Sequence, residues 1–281
     1  MKFTKFLSLV LVACLALTML AGCSSEKPAT TFVVLDETLD AEEYGIGFRK
    51  EDVAFGMAVQ AALDEMIADG SAAEISKKWF SEDILLKDGE YVCDTTVAED
   101  DKSLEYIKDK GTMVLGLDDS FPPMGFRDEN NNIVGFDIDL ATKVAEKLGV
   151  TLELQPIDWD SKEMELSGKK IDMIWNGMTI TPERKENMFF AKAYVANKQV
   201  VIVPEGSDIK TLADLKDKVV GLQKGSSSLD ALKKNEAVAS SVKQIAEYPD
   251  NVTAFMDLKA GRSDAFVVDE VAGRYIISTN K

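Results

Sequence analysis

The chain is 281 residues long and 46% hydrophobic, with a formal net charge of −17, three cysteines and no histidine. That length can bury a large core divided over two lobes, while so acidic a chain is expected to stay monomeric and to be repelled by nucleic acid. Lacking histidine, it has neither the commonest general base nor the commonest zinc ligand, so no metal site, Ser-His mechanism or cofactor is expected.

Residues 1–22 begin with Lys2 and Lys5, continue as an apolar run over 6–20 and end in Leu20-Ala21-Gly22 before Cys23. Such a run is short of the ~20 residues a spanning helix needs and suits a signal peptide. No later stretch is apolar enough to span a bilayer. Cys14 would leave with the signal, so Cys93 has no partner for a structural disulfide.

Residues 31–35 (TFVVL) predict a strand, 36–43 an acidic loop and 44–48 (YGIGF) a second strand. A helix is predicted over 52–69, stopped by Gly70, with Phe55, Val59, Leu63, Met66 and Ile67 on one stripe. A capping box at 71–74 should open the next helix, through Trp79 and Phe80. Residues 88–103 are polar, acidic and aperiodic, a linker whose central part could reach roughly 45 Å if extended.

Beyond it, helices at 104–110, 137–148, 163–166, 251–260 and 270–278 alternate with strands at 113–117, 133–136, 151–157, 171–175, 199–203, 219–222 and 265–268. Residues 242–248 read as extended, and 211–214 as a capping box. Alternation of this kind predicts α/β lobes with open, largely parallel sheets, whose ligands sit beyond the carboxyl ends of the strands. Asn176-Gly177 should end the strand at 171–175, after which Thr181 caps a short helix with Pro182 at its first position. Arg184 in that first turn is electrostatically odd, since helix starts favour anions. Either it pairs with Glu183 or Glu186, or it joins free N–H groups in gripping a carboxylate.

The strand ends carry Asp118, Ser120 and Phe121, then Trp159, then residues 176–181 (with Asn176, Gly177 and Thr179) and Arg184, then residues 223–227 (with Gln223, Ser226 and Ser227), then Asp269. One guanidinium, several carboxylates and hydroxyls, and two aromatics complement a zwitterionic amino acid. Singly, each has a duller role: Phe121 and Trp159 as core, Asp269 and the serines as helix caps.

FPPMGF (121–126), VGFDIDLA (134–141), WNGMTITPERK (175–185), GSSSLDAL (225–232), DAFVVD (264–269), YGIGFRK (44–50) and KKWF (77–80) together resemble the solute-binding proteins of polar amino-acid ABC transporters, family 3. The resemblance covers nearly the whole chain after the signal. It implies the two-lobed type II periplasmic-binding-protein fold, an α/β architecture, and a non-enzymatic protein delivering an L-amino acid to a permease. Leu20 to Cys23 resemble a bacterial lipobox, implying cleavage before Cys23, lipid on its thiol and anchoring to the extracytoplasmic face of the cell membrane. YGIGF and KKWF normally close the family's chain, whereas here they precede FPPMGF, so the chain reads as circularly permuted. Residues 88–103 would join the family's old termini; lobe 1 would be 44–196, lobe 2 residues 31–39 with 199–280, and the hinges would lie near 40–44 and 194–199.

Carried over from the family, Arg184 should grip the α-carboxylate with backbone N–H groups of Thr179 and of Ser226 or Ser227. Asp269 should take the ammonium with the Thr179 hydroxyl and a carbonyl of Asn176 or Gly177. Phe121 and Trp159 should clamp the side chain, whose head would face Asp118 and Gln223. Asp118 then disfavours an anionic ligand and leaves glutamine, arginine or lysine. The competing readings are a dehydratase-like enzyme of this fold, for which no positioned acid or base stands out, the sensing domain of a receptor, and a permuted relic that no longer binds.

Overall fold

The computed structural model describes residues 31–280; the expected signal peptide and Cys23 lie outside them. In chain order come strand β1 (Phe32–Arg49) and helices α1 (Val53–Asp69), α2 (Ser71–Phe80) and α3 (Ser103–Lys110). Strands β2 (Thr112–Leu117), β3 (Ser120–Phe121), β4 (Gly125–Arg127) and β5 (Ile133–Val134) lead to helix α4 (Phe136–Leu148) and strand β6 (Thr151–Pro156). Helix α5 (Lys162–Ser167), strand β7 (Met173–Thr179), helix α6 (Pro182–Asn187), and strands β8 (Met188–Phe190), β9 (Val195–Pro204) and β10 (Val219–Gln223) follow. Helices α7 (Ser228–Lys234) and α8 (Glu236–Ala239), strand β11 (Gln244–Tyr248), helix α9 (Asn251–Lys259), strand β12 (Ala265–Asp269) and helix α10 (Glu270–Thr279) complete the chain.

One mixed sheet runs in the order β11-β10-β12-β9-β1-β7-β2-β6, with β8 also paired to β1. Within each half the pairing is parallel: β10 with β11 and β12, and β2 with β6 and β7. Two long antiparallel strands, β1 and β9, cross between the halves. The expectation of largely parallel sheets therefore holds for the halves and fails at the crossing.

The acidic loop expected at 36–43 is instead part of β1. Its backbone pairs with β9 through Asp40↔Gln199, Glu42↔Asn197 and Tyr44↔Val195, with bulges near Thr38. Local composition argues against a strand there, but pairing of β1 with β9 at nine positions, five of them within 36–43, outweighs it. The strand expected to stop at Trp175 likewise continues to Thr179, because Asn176 and Gly177 form a bulge against β1 between Gly45↔Met178 and Gly47↔Ile174. Gly177 stands at φ +56°, and a Cβ there would fall 2.7 Å from the Phe121 ring, so the bulge demands glycine.

Helix α1 buries Phe55, Val59, Leu63 and Met66 and ends at Gly70 in the left-handed conformation. Each such side chain contributes about 1.5–3 kcal/mol of burial. The capping box expected at 71–74 does not form: the Ser71 hydroxyl donates to Asp69 instead. The one at Thr211–Asp214 does. Residues 88–102 hold no helix or strand, yet they are not a free spacer. Tyr91 packs on Phe189, and Asp101 Oδ2 accepts the Ala54 N–H at 2.7 Å over the start of α1.

Hydrophobic clusters fill each half, Leu35, Val201, Leu222 and Val267 in one and Val114, Ile171, Ile174 and Phe190 in the other. A third cluster spans both, from Phe55, Phe136 and Trp175 to Val200, Phe255 and Phe266.

Candidate functional site

A narrow cavity of about 10 Å³ lies where the carboxyl ends of the parallel strands from both halves meet. Its lining is Asp118, Phe121, Trp159, Asn176, Gly177, Thr179, Arg184, Gln223, Ser226, Ser227 and Asp269. Residues more than a hundred positions apart in the chain are thus brought together; the eleven expected ligand-binding residues are among them, whereas Ser120, Met178, Ile180, Thr181, Lys224 and Gly225, also at strand ends, are not.

At one end Arg184, 7% exposed, donates Nη1 to the Thr179 carbonyl (2.8 Å) and Nη2 to the Gly225 carbonyl (3.2 Å). It makes no ion pair with a carboxylate among the described residues, so the dull pairing with Glu183 or Glu186 does not occur. Burial lowers its pKa from the usual value; arginine nonetheless stays a cation at neutral pH. The start of α6 is satisfied locally, the Thr181 hydroxyl accepting the Arg184 N–H at 3.1 Å. Of the two serines, Ser226 turns its N–H back to the Gln223 carbonyl (3.4 Å). Ser227 places its hydroxyl 3.0 Å from that of Thr179, across the two halves.

At the other end Asp269, 4% exposed, accepts hydrogen bonds from the Tyr44 hydroxyl and the Asn197 amide, both at 2.8 Å. Burial, and then the neighbouring Glu42 charge, raise its pKa well above the usual carboxylate value. Glu42 is a site residue that the sequence reading missed. Its Oε1 accepts from Thr179 Oγ1 (2.9 Å), Asn197 Nδ2 (2.6 Å) and Gln199 Nε2 (2.9 Å). Its signal was the strand period. Had 36–43 been read as strand, Glu42 and Tyr44 would have shared a face, as Asn197 and Gln199 do on β9.

Phe121 and Trp159, both buried, line the same cavity. Asp118 is pushed up by burial, against hydrogen bonds from Ser120. Gln223 donates Nε2 to Asp118 Oδ2 at 2.7 Å and to the Pro249 carbonyl, and its Oε1 accepts from Asn251. Asp118 and Gln223 therefore form one hydrogen-bonded pair rather than two independent heads. Asn176 Oδ1 accepts the Asp118 N–H, while its Nδ2 has no partner among the described residues.

No group of three or more metal-ligating side chains occurs among the described residues, and none of their helices is long and apolar enough to cross a membrane.

The family profile described as bacterial extracellular solute-binding proteins, family 3, matches residues 113–264. The chain is 34% identical over 175 residues to the L-cystine-binding protein TcyJ of Escherichia coli strain K12, covering 62% of this chain and 64% of that one. It is 30% identical over 172 residues to the arginine-binding extracellular protein ArtP of Bacillus subtilis strain 168, covering 61% and 66%. These matches span just under two thirds of each relative's length. Among solved structures, a Streptococcus pneumoniae ABC uptake transporter substrate-binding protein with bound histidine superposes with a TM-score of 0.62 and 38% identity, covering 65% of this chain and 75% of that one. All three are named as binding proteins rather than enzymes. With the α/β halves, the crossing strands and this cavity, the chain belongs to the bacterial extracellular solute-binding proteins, family 3, and has their type II periplasmic-binding-protein fold.

Proposed function

We propose that this protein captures a polar L-amino acid between two lobes, 44–196 and 31–39 with 199–280, and delivers it to an ABC permease. The observation that carries the reading is the presence of opposite buried charges around one cavity. A buried guanidinium with no carboxylate partner among the described residues stands on one side of Thr179, and the Asp269–Glu42 pair on the other. An α-carboxylate and an α-ammonium, carried on one carbon, fit these two groups, which meet at Thr179, and the side chain would then run past Phe121 and Trp159 toward Asp118 and Gln223. Strands β1 and β9, continuous from one half to the other, are the natural hinges near 40–44 and 194–199, where small backbone rotations would open the cleft. Relatives named for cystine, arginine and histidine agree with an amino-acid ligand.

Asp118 biases the choice within that class. With Glu42 and Asp269 it makes three carboxylates against Arg184 and the nearby Lys162, so a neutral or cationic side chain is favoured over glutamate. Calorimetric titration of the soluble 24–281 form against the twenty amino acids tests both statements. Micromolar binding of glutamine, arginine or lysine is expected. Binding of none would sink the amino-acid reading, whereas tight glutamate binding would sink only the charge argument.

The lipobox reading and the permutation belong to the same proposal. Lipid on Cys23 would hold the protein at the membrane facing its permease. The order of YGIGF and KKWF before FPPMGF supports a chain whose old termini are joined through 88–103. Helix α10, which would precede β1 in the family's order, packs against β1 and β9.

A further inference from the structure

Lys162, the first residue of α5, is 4% exposed. Lysine is almost never buried so fully without a partner. Its ammonium donates to the Trp159 carbonyl (3.2 Å) and the Gly225 carbonyl (2.8 Å), and stands 5.1 Å from the centre of the Trp159 ring. Among the described residues it has no ion pair with a carboxylate. The Gly225 carbonyl is also the acceptor of Arg184 Nη2. One backbone oxygen therefore lies between two buried cations, from α5 and α6, while belonging to the turn after β10 in the other half.

That turn comes very close to the start of α5. Gly225 stands at φ +69°, and a Cβ there would lie 2.8 Å from the Asp160 Cα. Beside it Lys224 pairs with Asp160 at 2.8 Å. An anionic group seated on Arg184 would thus meet a second positive charge anchored through the same carbonyl.

We infer that Lys162 is a positioning residue for the carboxylate end of the cavity, tying the Gly225 turn across the cleft to Arg184 and adding a second cation at that end. This rests on the amino-acid reading above and concerns a residue outside the cavity lining. Burial, and then Arg184, lower its pKa to about 8, against the opposing charges of Glu163 on its own helix, Asp160 in the preceding turn and Asp230 on α7. Its charge is therefore present below pH 8 and lost above it.

The test compares wild type with Lys162→Met, of similar length and no charge, titrated with arginine and glutamine from pH 6.5 to 9.5. The ratio of their affinities removes the ligand's own titration. Lys162→Met should bind about 10- to 100-fold more weakly at pH 6.5, mostly through faster dissociation, and the ratio should fall as pH rises through 8. A ratio within twofold of one and flat with pH overturns the inference, even if the variant melts at a lower temperature. Small-angle scattering of the two proteins without ligand gives a second arm. Lys162→Met should be more expanded, and equal profiles overturn the tie across the cleft. If wild type binds no amino acid, the functional reading falls and the scattering still decides this one.

Discussion

Arg184 shows what a single side chain costs when it is buried with its charge. It is satisfied by two backbone carbonyls rather than by an anion, an arrangement that a carboxylate could improve, since charge-assisted bidentate bonds are the stronger kind. Removing one member of a buried charge pair costs roughly 3–5 kcal/mol, and a micromolar ligand is held by about 8 kcal/mol. Arg184→Ala and Asp269→Ala should therefore each weaken binding by roughly 10²- to 10⁴-fold. Calorimetry on variants whose melting is intact checks this; micromolar binding by either one refutes the assigned roles. Asp118→Asn should instead discriminate between ligands. A hydrogen bond to a charged group is worth about 1.5–3 kcal/mol, so arginine or lysine should lose much more affinity than glutamine. Equal losses would place Asp118 away from the ligand's side chain.

At the scale of elements, the bulge in β7 depends on α4. Asp137, in the first turn of α4 and wholly buried, accepts the Gly177 N–H at 2.7 Å and the Tyr194 hydroxyl at 2.9 Å. Gly177 lines the cavity, and Tyr194 directly precedes β9, so one carboxyl joins the site to a crossing strand. Burial pushes Asp137 up to about 7, although both hydrogen bonds act in the opposite direction. The folded protein thus keeps a proton that the unfolded chain releases near pH 4. Stability from this group is full below that value and declines as pH rises to about 7. Asp137→Asn retains an acceptor for Gly177 and removes the titration. Relative to wild type, the variant should gain on the order of 4 kcal/mol between pH 4 and 7.5, read as a growing difference in melting temperature. A difference that does not change with pH would show that Asp137 stays ionised in the fold.

For the molecule as a whole, the segment between α2 and α3 is where the permutation can be tested. If 88–103 merely rejoins old ends, opening it should leave a folded, nicked protein that still binds. The structure narrows the place, because Tyr91 and Asp101 are anchored while residues 96–100 are exposed. A protease site inserted at 97–99 should be cut with little loss of melting temperature or affinity. Asp101→Ala, which uncaps α1, should cost about 1 kcal/mol. Loss of cooperative unfolding after the cut would mean that the segment is integral to the fold rather than a join.

Much of this protein is legible in its sequence because the signals are local. Gly70, Gly111 and Gly149 end α1, α3 and α4 in the left-handed conformation, as their positions foretell. Thr181-Pro182 caps α6, and the alternation of strands with helices announces two parallel half-sheets with polar residues at the strand ends. The eleven lining residues lie in or shortly after their own strands and turns, but singly each also suited a duller role, and the family resemblance is what gathered them into one site. Residues 36–43 were not, because their acidic composition is outweighed by pairing with a strand more than 150 positions away. Glu42 was lost with them, and so were Asn197 and Gln199, which count only through the carboxylates they bond. Lys162 has no mark in the sequence that separates it from a surface lysine at a helix start. Its burial, and its reach to Gly225 in the other half, come from the folding of one half-sheet against the other, and only the tertiary structure decides them.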